Sequence, residues 1–337
     1  MISARNVARA AVVAAMVLLA AGAVQAIVIN TVPVGNPGNA GELSGNGAGG
    51  YGTDRICGAV AYAYNIGKYE VTAGQYTEFL KAVAKTDTYG LYNPNMWSSV
   101  QGCKIQRSGS SGGYTYTVAS DYANRPVNYV SWGDAARFAN WLHNAQPTGN
   151  QGLTTTEKGS YYLNGATTDA ALLAVTRNAG ATWAVTSEDE WYKAAYYNPA
   201  TGTYFDYPTS SNTAPGRDMA DASGNNANYY GTPYPIDSGK YTTVAGEFQN
   251  SDSPYGTFDQ GGNVWEWNEA IIDGSGRGLR GGDFYFDDSL LLAAYRDTYG
   301  SPAGEGFGIG FRVSEVPEPA TLSLLALGGL VALRRRR

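Results

Sequence analysis

Apolar residues at helical spacing pick out three segments of the chain. In VTAGQYTEFLKAVAKT (71–86), Tyr76, Phe79, Leu80 and Val83 recur at intervals of three and four, which lines them along one helix face. Thr72 and Gln75 stand where a capping box needs them. In SWGDAARFANWLHNAQ (131–146), Ser131 and Asp134 take the cap positions, and Phe138, Trp141, Leu142 and Ala145 form the buried stripe. In TSEDEWYKAAYY (186–197), Ser187 and Glu190 open a third helix with Trp191, Ala194 and Ala195 on one face. Its acidic first turn complements the helix dipole. Elsewhere Asn, Gly, Ser and Pro recur too often for long helices, so short strands and turns are expected. Residues 104–125 and 148–182 read as surface excursions. The Thr/Gly/Asn-rich 201–257 reads as a long irregular loop that something must order, a bound metal being one candidate.

The two ends differ from this middle. Residues 1–26 carry Arg5 and Arg9, an apolar run over 10–23 and then VQA, the layout of a secretory signal peptide cut after Ala26. Residues 27–54 are rich in Gly, Asn and Pro and are expected to be a flexible lead-in. Within them GNGAGG (45–50) fits G-x-G-x-x-G, but no strand–turn–helix context makes it a nucleotide site. The globular domain is expected over 55–314, followed by a tail over 315–337. That tail, VPEPATLSLLALGGLVALRRRR from Val316, joins Pro317-Glu318-Pro319 to a short apolar segment and four arginines. The apolar part is shorter than the ~20 residues of a usual spanning helix, and the arginines hold its end in the cytoplasm.

Composition narrows the function. Hydrophobic residues make up 43%, enough for a core, while charged residues are only 15% and Tyr reaches 26. Without Arg5, Arg9 and the four terminal arginines, the chain carries 17 basic against 29 acidic residues, a net of −12. Such a surface repels nucleic acid and favours divalent cations. Cys57 and Cys103 are the only cysteines. In an oxidising compartment they could pair; two free buried thiols are the alternative.

Five ordered segments resemble the formylglycine-generating enzyme (sulfatase-modifying factor) family: YNIGKYEVTAGQYTEFL, RPVNYVSWGDAARFANWL, WAVTSEDEWYKAAY, YGTFDQGGNVWEW and the closing LRGGDF…AAYRD…GIGFRV. The resemblance covers 64–313. It implies an α+β fold, a variant of the C-type lectin-like fold with little regular secondary structure. The tail similarly resembles the PEP-CTERM sorting signal of bacterial exported proteins. That implies recognition of Pro317, Glu318 and Pro319 by an exosortase-type protease, transient anchoring, and delivery to the cell surface or exopolysaccharide matrix.

Within FDQGGNVWEW, Asp259 and Glu266 flank glycines that let the backbone turn and aim carbonyls inward, and calcium takes carboxylates and carbonyls together. The resemblance assigns a calcium site to the Asp259 and Glu266 side chains and the Gly262 and Val264 carbonyls. A second would use Asn228, the Tyr229 carbonyl, Asp237 and the Gly239 carbonyl. The alternative for both is ordinary turn chemistry.

Catalysis fares differently. The family's oxidases use a copper-binding cysteine pair just after the Arg-Gly-Gly, and here those positions hold Phe286 and about Leu291. Neither can ligate a metal through sulfur. A related branch holds non-haem iron through several histidines, whereas this chain has only His143, read as a solvated side chain. No copper, iron or haem is expected. Asp283, Asp287 and Asp288 form an acidic loop that could act on a glycoside or be merely solvated. Arg280, Arg296 and Arg312 are expected to serve ion pairing and packing. The resulting expectation is a calcium-stabilised, surface- or matrix-associated protein with a binding or structural role, its ligand an exopolysaccharide or surface protein. An enzyme on the same fold, a formylglycine-generating-type oxidase or another activity, is the alternative.

Overall fold

Each of the three expected helices begins at its cap. They span Ala73–Val83, Trp132–His143 and Glu188–Tyr196, each opened by a full capping box. Ser131 Oγ accepts from the Asp134 amide at 3.1 Å, and Asp134 Oδ2 accepts from the Ser131 amide at 2.8 Å. Two of the four orphan amides of the helix start are thereby satisfied. The computed structural model describes residues 26–297 and 300–316. The expected signal peptide up to Gln25 and the motif Pro317, Glu318 and Pro319 lie outside them. Among the described residues, no helix is long and apolar enough to cross a membrane.

The first two helices meet across aromatic rings. Phe79 and Phe138 pack edge to face at 5.3 Å, and Phe138 does the same with Phe311. Such pairs contribute about 0.5–1.5 kcal/mol each beyond area burial. Phe311 lies at the far end of the domain sequence, so this contact closes the fold. The strand that follows it, Val313–Glu315, sits inside a four-stranded antiparallel sheet, between Tyr64–Gly67 and Trp183–Val185, with Thr31–Val34 at the edge. A second sheet joins Trp265–Ile272 to Gly276–Arg280 antiparallel and to Ile309–Gly310 parallel.

Several expectations need correction. The lead-in 27–54 is folded, because its apolar positions find distant partners: Thr31–Val34 pairs with Tyr64–Gly67, and Glu42–Ser44 pairs with Arg55–Cys57. Ser44 Oγ then donates to the Ala293 carbonyl at 2.7 Å and accepts from Arg280 at 3.1 Å. The excursion 104–125 contains a hairpin, Ile105–Ser108 with Thr115–Val118, that sends Ile105 and Tyr116 into the core. The excursion 148–182 supplies Glu157, fully buried against Arg137 through bonds of 2.7 and 3.0 Å. Ala145 lies past its helix, exposed at φ +61°. His143 is half-buried, its Nδ1 2.8 Å from Thr182 Oγ1, and burial lowers its pKa.

The loop region 201–257 orders itself through its own polar groups. Buried Asp221 accepts from Ser251 Oγ at 2.6 Å and Asn226 Nδ2 at 2.9 Å, and also from the Asn250 amide. A buried carboxylate is tolerated when its lone pairs are filled in this way.

Ser131→Ala should cost about 1–2 kcal/mol by removing the cap of the central helix. Urea denaturation would show it as a lower midpoint at unchanged slope; an unchanged midpoint would remove the cap from the stability argument.

Candidate functional site

Alternation along a strand explains the carboxylate between two tryptophans. Successive side chains point to opposite faces, so Trp265 and Trp267 enter the main core while Glu266 points the other way. There it is fully buried. Arg312 grips it with two bonds of 2.6 Å, Nε to Oε2 and Nη2 to Oε1, and Trp191 Nε1 donates to Oε2 at 2.7 Å. The same guanidinium donates to the Gly67 and Phe258 carbonyls, each at 2.9 Å. Sequence reading missed this partner because it lies 46 residues away.

Two further carboxylates share the neighbourhood. Asp259 sits at φ +60°, with Oδ2 accepting from the Gly246 amide at 2.6 Å. Burial pushes its pKa up to about 6, and the nearby charges of Glu266 and Glu247 add to that. Glu70, which the sequence did not single out, accepts from Asn263 Nδ2 at 3.1 Å on one oxygen, and its other oxygen is buried with no hydrogen-bond partner. Burial raises its pKa well above the ordinary value, with Asp259 and Glu266 contributing. Three carboxylates, buried Glu70 and Glu266 and half-buried Asp259, thus act on one guanidinium.

A hard divalent cation would meet negative charge and the orphaned Glu70 oxygen here. Arg312 and Trp191 fill three of about four lone-pair sites on Glu266. The turn packs tightly on the neighbouring loop: a Cβ on Gly262, at φ +79°, would fall 2.2 Å from the Asn228 carbonyl oxygen. Among the described residues, however, no group of three His, Cys, Asp or Glu side chains is arranged to hold a metal. Backbone carbonyls would have to complete the shell.

The second expected set is split. Asn228 is stapled to the first loop: its carbonyl accepts from the Asn263 amide at 2.8 Å, and its Nδ2 donates to the Tyr241 carbonyl at 2.9 Å. Asp237 instead pairs with Arg125. Gly239 takes φ +77° at the surface, and the Tyr229 hydroxyl donates to the Pro215 carbonyl at 2.7 Å.

The two cysteines are free and far from Phe286 and Leu291 in chemistry. Cys57 lies under Arg280, Sγ 3.3 Å from Nη2, in the cluster of Trp191 and Tyr196, whereas Cys103 belongs to the main core. No disulfide joins them. Burial, aided for Cys57 by Glu188, pushes each thiol up to about 11, so neither is a thiolate nucleophile near neutral pH. The neighbouring arginines serve ion pairing, as expected: Arg280 and Arg296 each reach Glu188 at 2.7 Å. Burial alone would raise the Glu188 pKa, but Arg280, Arg296 and Arg55 hold it well below the usual carboxylate range.

At the positions of interest on the closing segment, Leu291 is buried and Phe286 is 44% exposed. Phe286 ends a run of touching rings. It passes through Tyr285, Phe307, Phe284, Tyr241 and Tyr234 to Tyr230, with neighbouring centroids 4.9–5.8 Å apart. Tyr230 and Tyr285, at 53% and 48% exposed, open this run to solvent with Phe286. Asp287 caps a short 3-10 turn, its Oδ1 accepting from the Ser289 amide at 3.0 Å. Asp283 is buried rather than solvated, and burial pushes its carboxyl up to about 7 although the Tyr285 and Phe286 amides favour the charged form.

These features place the chain in a known class. It belongs to the sulfatase-modifying factor family, whose sulfatase-modifying factor enzyme 1-like domain matches residues 8–316. A PEP-CTERM protein-sorting motif matches residues 315–337, which marks an exported protein sorted through its C-terminus by an exosortase-type processing system. Hercynine oxygenase of Mycobacterium tuberculosis (strain ATCC 25618 / H37Rv) is 23% identical over 276 residues, 70% of this chain and 48% of that protein. The chain thus spans about half the length of that curated relative. Among solved structures, Treponema denticola variable protein 1 superposes with a TM-score of 0.53 at 19% identity, over 87% of this chain and 99% of that one. CarF gives a TM-score of 0.50 at 21% identity, over 86% and 99%. The neighbours share the formylglycine-generating-enzyme-like, C-type lectin-like α+β fold.

A carboxyl whose pKa is higher folded than unfolded (~3.9 for Asp) binds its proton more tightly in the native state. Its contribution to stability is therefore full at low pH and is lost as pH rises through about 7. Thermal melts at pH 5 and pH 8 should show Asp283→Asn flattening that part of the wild-type decline. An identical pH dependence in both proteins would mean that Asp283 titrates normally.

Proposed function

We propose that the chain is an exported binding domain, stabilised by calcium, that works without cysteine-based oxidase chemistry. One observation carries the reading. The positions that correspond to the oxidase cysteines hold an exposed phenylalanine and a buried leucine, while both cysteines of the chain are sequestered thiols elsewhere. A copper–thiolate centre needs soft sulfur ligands, and Phe286 and Leu291 supply none. The solvent-open rings of Tyr230, Tyr285 and Phe286 support a recognition role at that same place, since rigid aromatics give contact area at low entropic cost. The ligand that best suits such a face is a polysaccharide of the cell surface or matrix. The likeness to an oxygenase in name argues for shared ancestry of the fold, since fold does not fix chemistry. A single histidine leaves a multi-histidine iron site without ligands. The direct test is oxygen uptake and aldehyde formation on a sulfatase-type Cys-x-Pro-x-Arg peptide. No turnover is expected, and turnover would overturn the reading.

Calcium would be held by Asp259 and Glu266 through their side chains and by Gly262 and Val264 through their carbonyls. It would supply positive charge where three carboxylates face Arg312 alone. The cation's part is structural: it neutralises Asp259 and relieves the repulsion that acts on Glu70. Chelation should therefore lower the melting temperature, with calcium restoring it, and Asp259→Asn should weaken that response. Superimposable melting curves with chelator and with calcium would end the proposal for this site.

A further inference from the structure

We propose that Arg217 is the anion anchor of a carbohydrate site, taking the carboxylate of a uronate-bearing oligosaccharide whose ring stacks on Tyr230. The proposal rests on the binding reading above and names its ligand class. It starts from an imbalance. All three guanidinium nitrogens of Arg217 are buried with no hydrogen-bond partner. Its guanidinium lies over the face of Tyr229, 5.5 Å from the ring centroid. Other arginines are treated quite differently: Arg137, Arg280 and Arg312 each hold a carboxylate within 3 Å, and Arg277 donates to the Glu269, Leu172 and Val175 carbonyls. An unpaired buried guanidinium is costly, and burial accordingly lowers its pKa.

A second orphan lies beside it. The Tyr234 hydroxyl is also buried without a hydrogen-bond partner, three residues past Gly231, whose backbone packs on the Arg217 guanidinium. Arginine has only donors, and a tyrosine hydroxyl can donate as well as accept. One bound anion would satisfy both, and bidentate carboxylate recognition is what a guanidinium fork favours. The cover over this pair is thin. A Cβ on Gly231 would come within 2.9 Å of Arg217 Nη1, and the adjoining Thr232 and Pro233 are exposed. The guanidinium therefore lies just beneath the surface, against Gly231, the residue after exposed Tyr230.

The aromatic neighbours select the ligand. Tyr230 contacts Tyr234 at 4.9 Å, and the run of rings continues to Tyr285 and Phe286. A free inorganic anion would have no use for these faces, and a neutral sugar would leave Arg217 unpaired. An acidic sugar chain uses both. A nucleic acid is disfavoured by the excess of acidic residues over the domain.

The test is calorimetric titration of the full-length chain with a hexa-uronate, a neutral hexaglucan of equal length, and sulfate. The hexa-uronate should bind at least about tenfold more tightly than either of the others. Arg217→Met should weaken hexa-uronate binding by at least about tenfold, and Tyr230→Ala should weaken it with the fold intact. Because Arg217→Met removes a buried unpaired charge, its melting temperature should equal or exceed that of the wild type, which keeps the variant interpretable. Hexa-uronate affinity unchanged by Arg217→Met overturns the proposal, as does absence of binding. Sulfate binding as tightly as the hexa-uronate shows an adventitious ion only and overturns it too. Tight hexaglucan binding that ignores Arg217→Met overturns this site while leaving the binding reading intact, whereas peptide turnover strikes the reading itself.

Discussion

The Glu266–Arg312 ion pair is the constraint on which the arrangement depends. Arg312 is fully buried and binds at once to Glu266, to the carbonyl of Gly67 and to that of Phe258. It therefore joins the strand before the first helix, the glycine turn, the long strand of the second sheet and the closing segment. A buried pair of this kind adds little net stability, because two charges lose their hydration. Its value lies in specificity: removal of either member leaves a charge with no counterpart in the core. The chain places Phe311 and Val313 on either side of Arg312, both fully buried, so the register of the closing segment is fixed by packing and by charge together.

A second hub repeats the device. Glu188, the first residue of its helix, is shared by Arg55, Arg280 and Arg296. The two hubs are linked through the 188–196 helix, since Trp191 on that helix donates to Glu266. With so little regular secondary structure, most buried backbone groups cannot rely on ladders or helical turns. Side chains take over that task, which is why loops such as 201–257 hold a defined shape around Asp221 and Asn263. Asn263 accepts from the Thr243 amide at 2.9 Å and donates to Glu70, so one amide spans two loops.

What could be read from the chain follows the range of the physics involved. The helices were legible because capping boxes are local: Thr72 with Gln75, Ser131 with Asp134 and Ser187 with Glu190 are each three residues apart. The glycine turn was legible for the same reason; the pairing role of the three closing arginines came from the family resemblance, their carboxylate partners lying 46 to 108 residues away. The lead-in was misread because Gly- and Asn-rich composition signals freedom only when no distant strand claims the segment, and Tyr64–Gly67 does claim it. His143 was misread because Thr182 lies 39 residues away. Glu70, near Arg312, and the unpaired Arg217 had no sequence signal. Both depend on which charges the fold brings together, and on which it leaves alone.

The position of Val313–Glu315 has a consequence for biogenesis. This strand is an interior member of its sheet, bordered on both sides, yet it is the last part of the domain to be synthesised. A nascent chain that has not delivered it lacks the middle of the sheet, along with Phe311 in the core and the guanidinium that neutralises Glu266. The sheet and the charge hub therefore stay incomplete until the segment next to the sorting tail is in place.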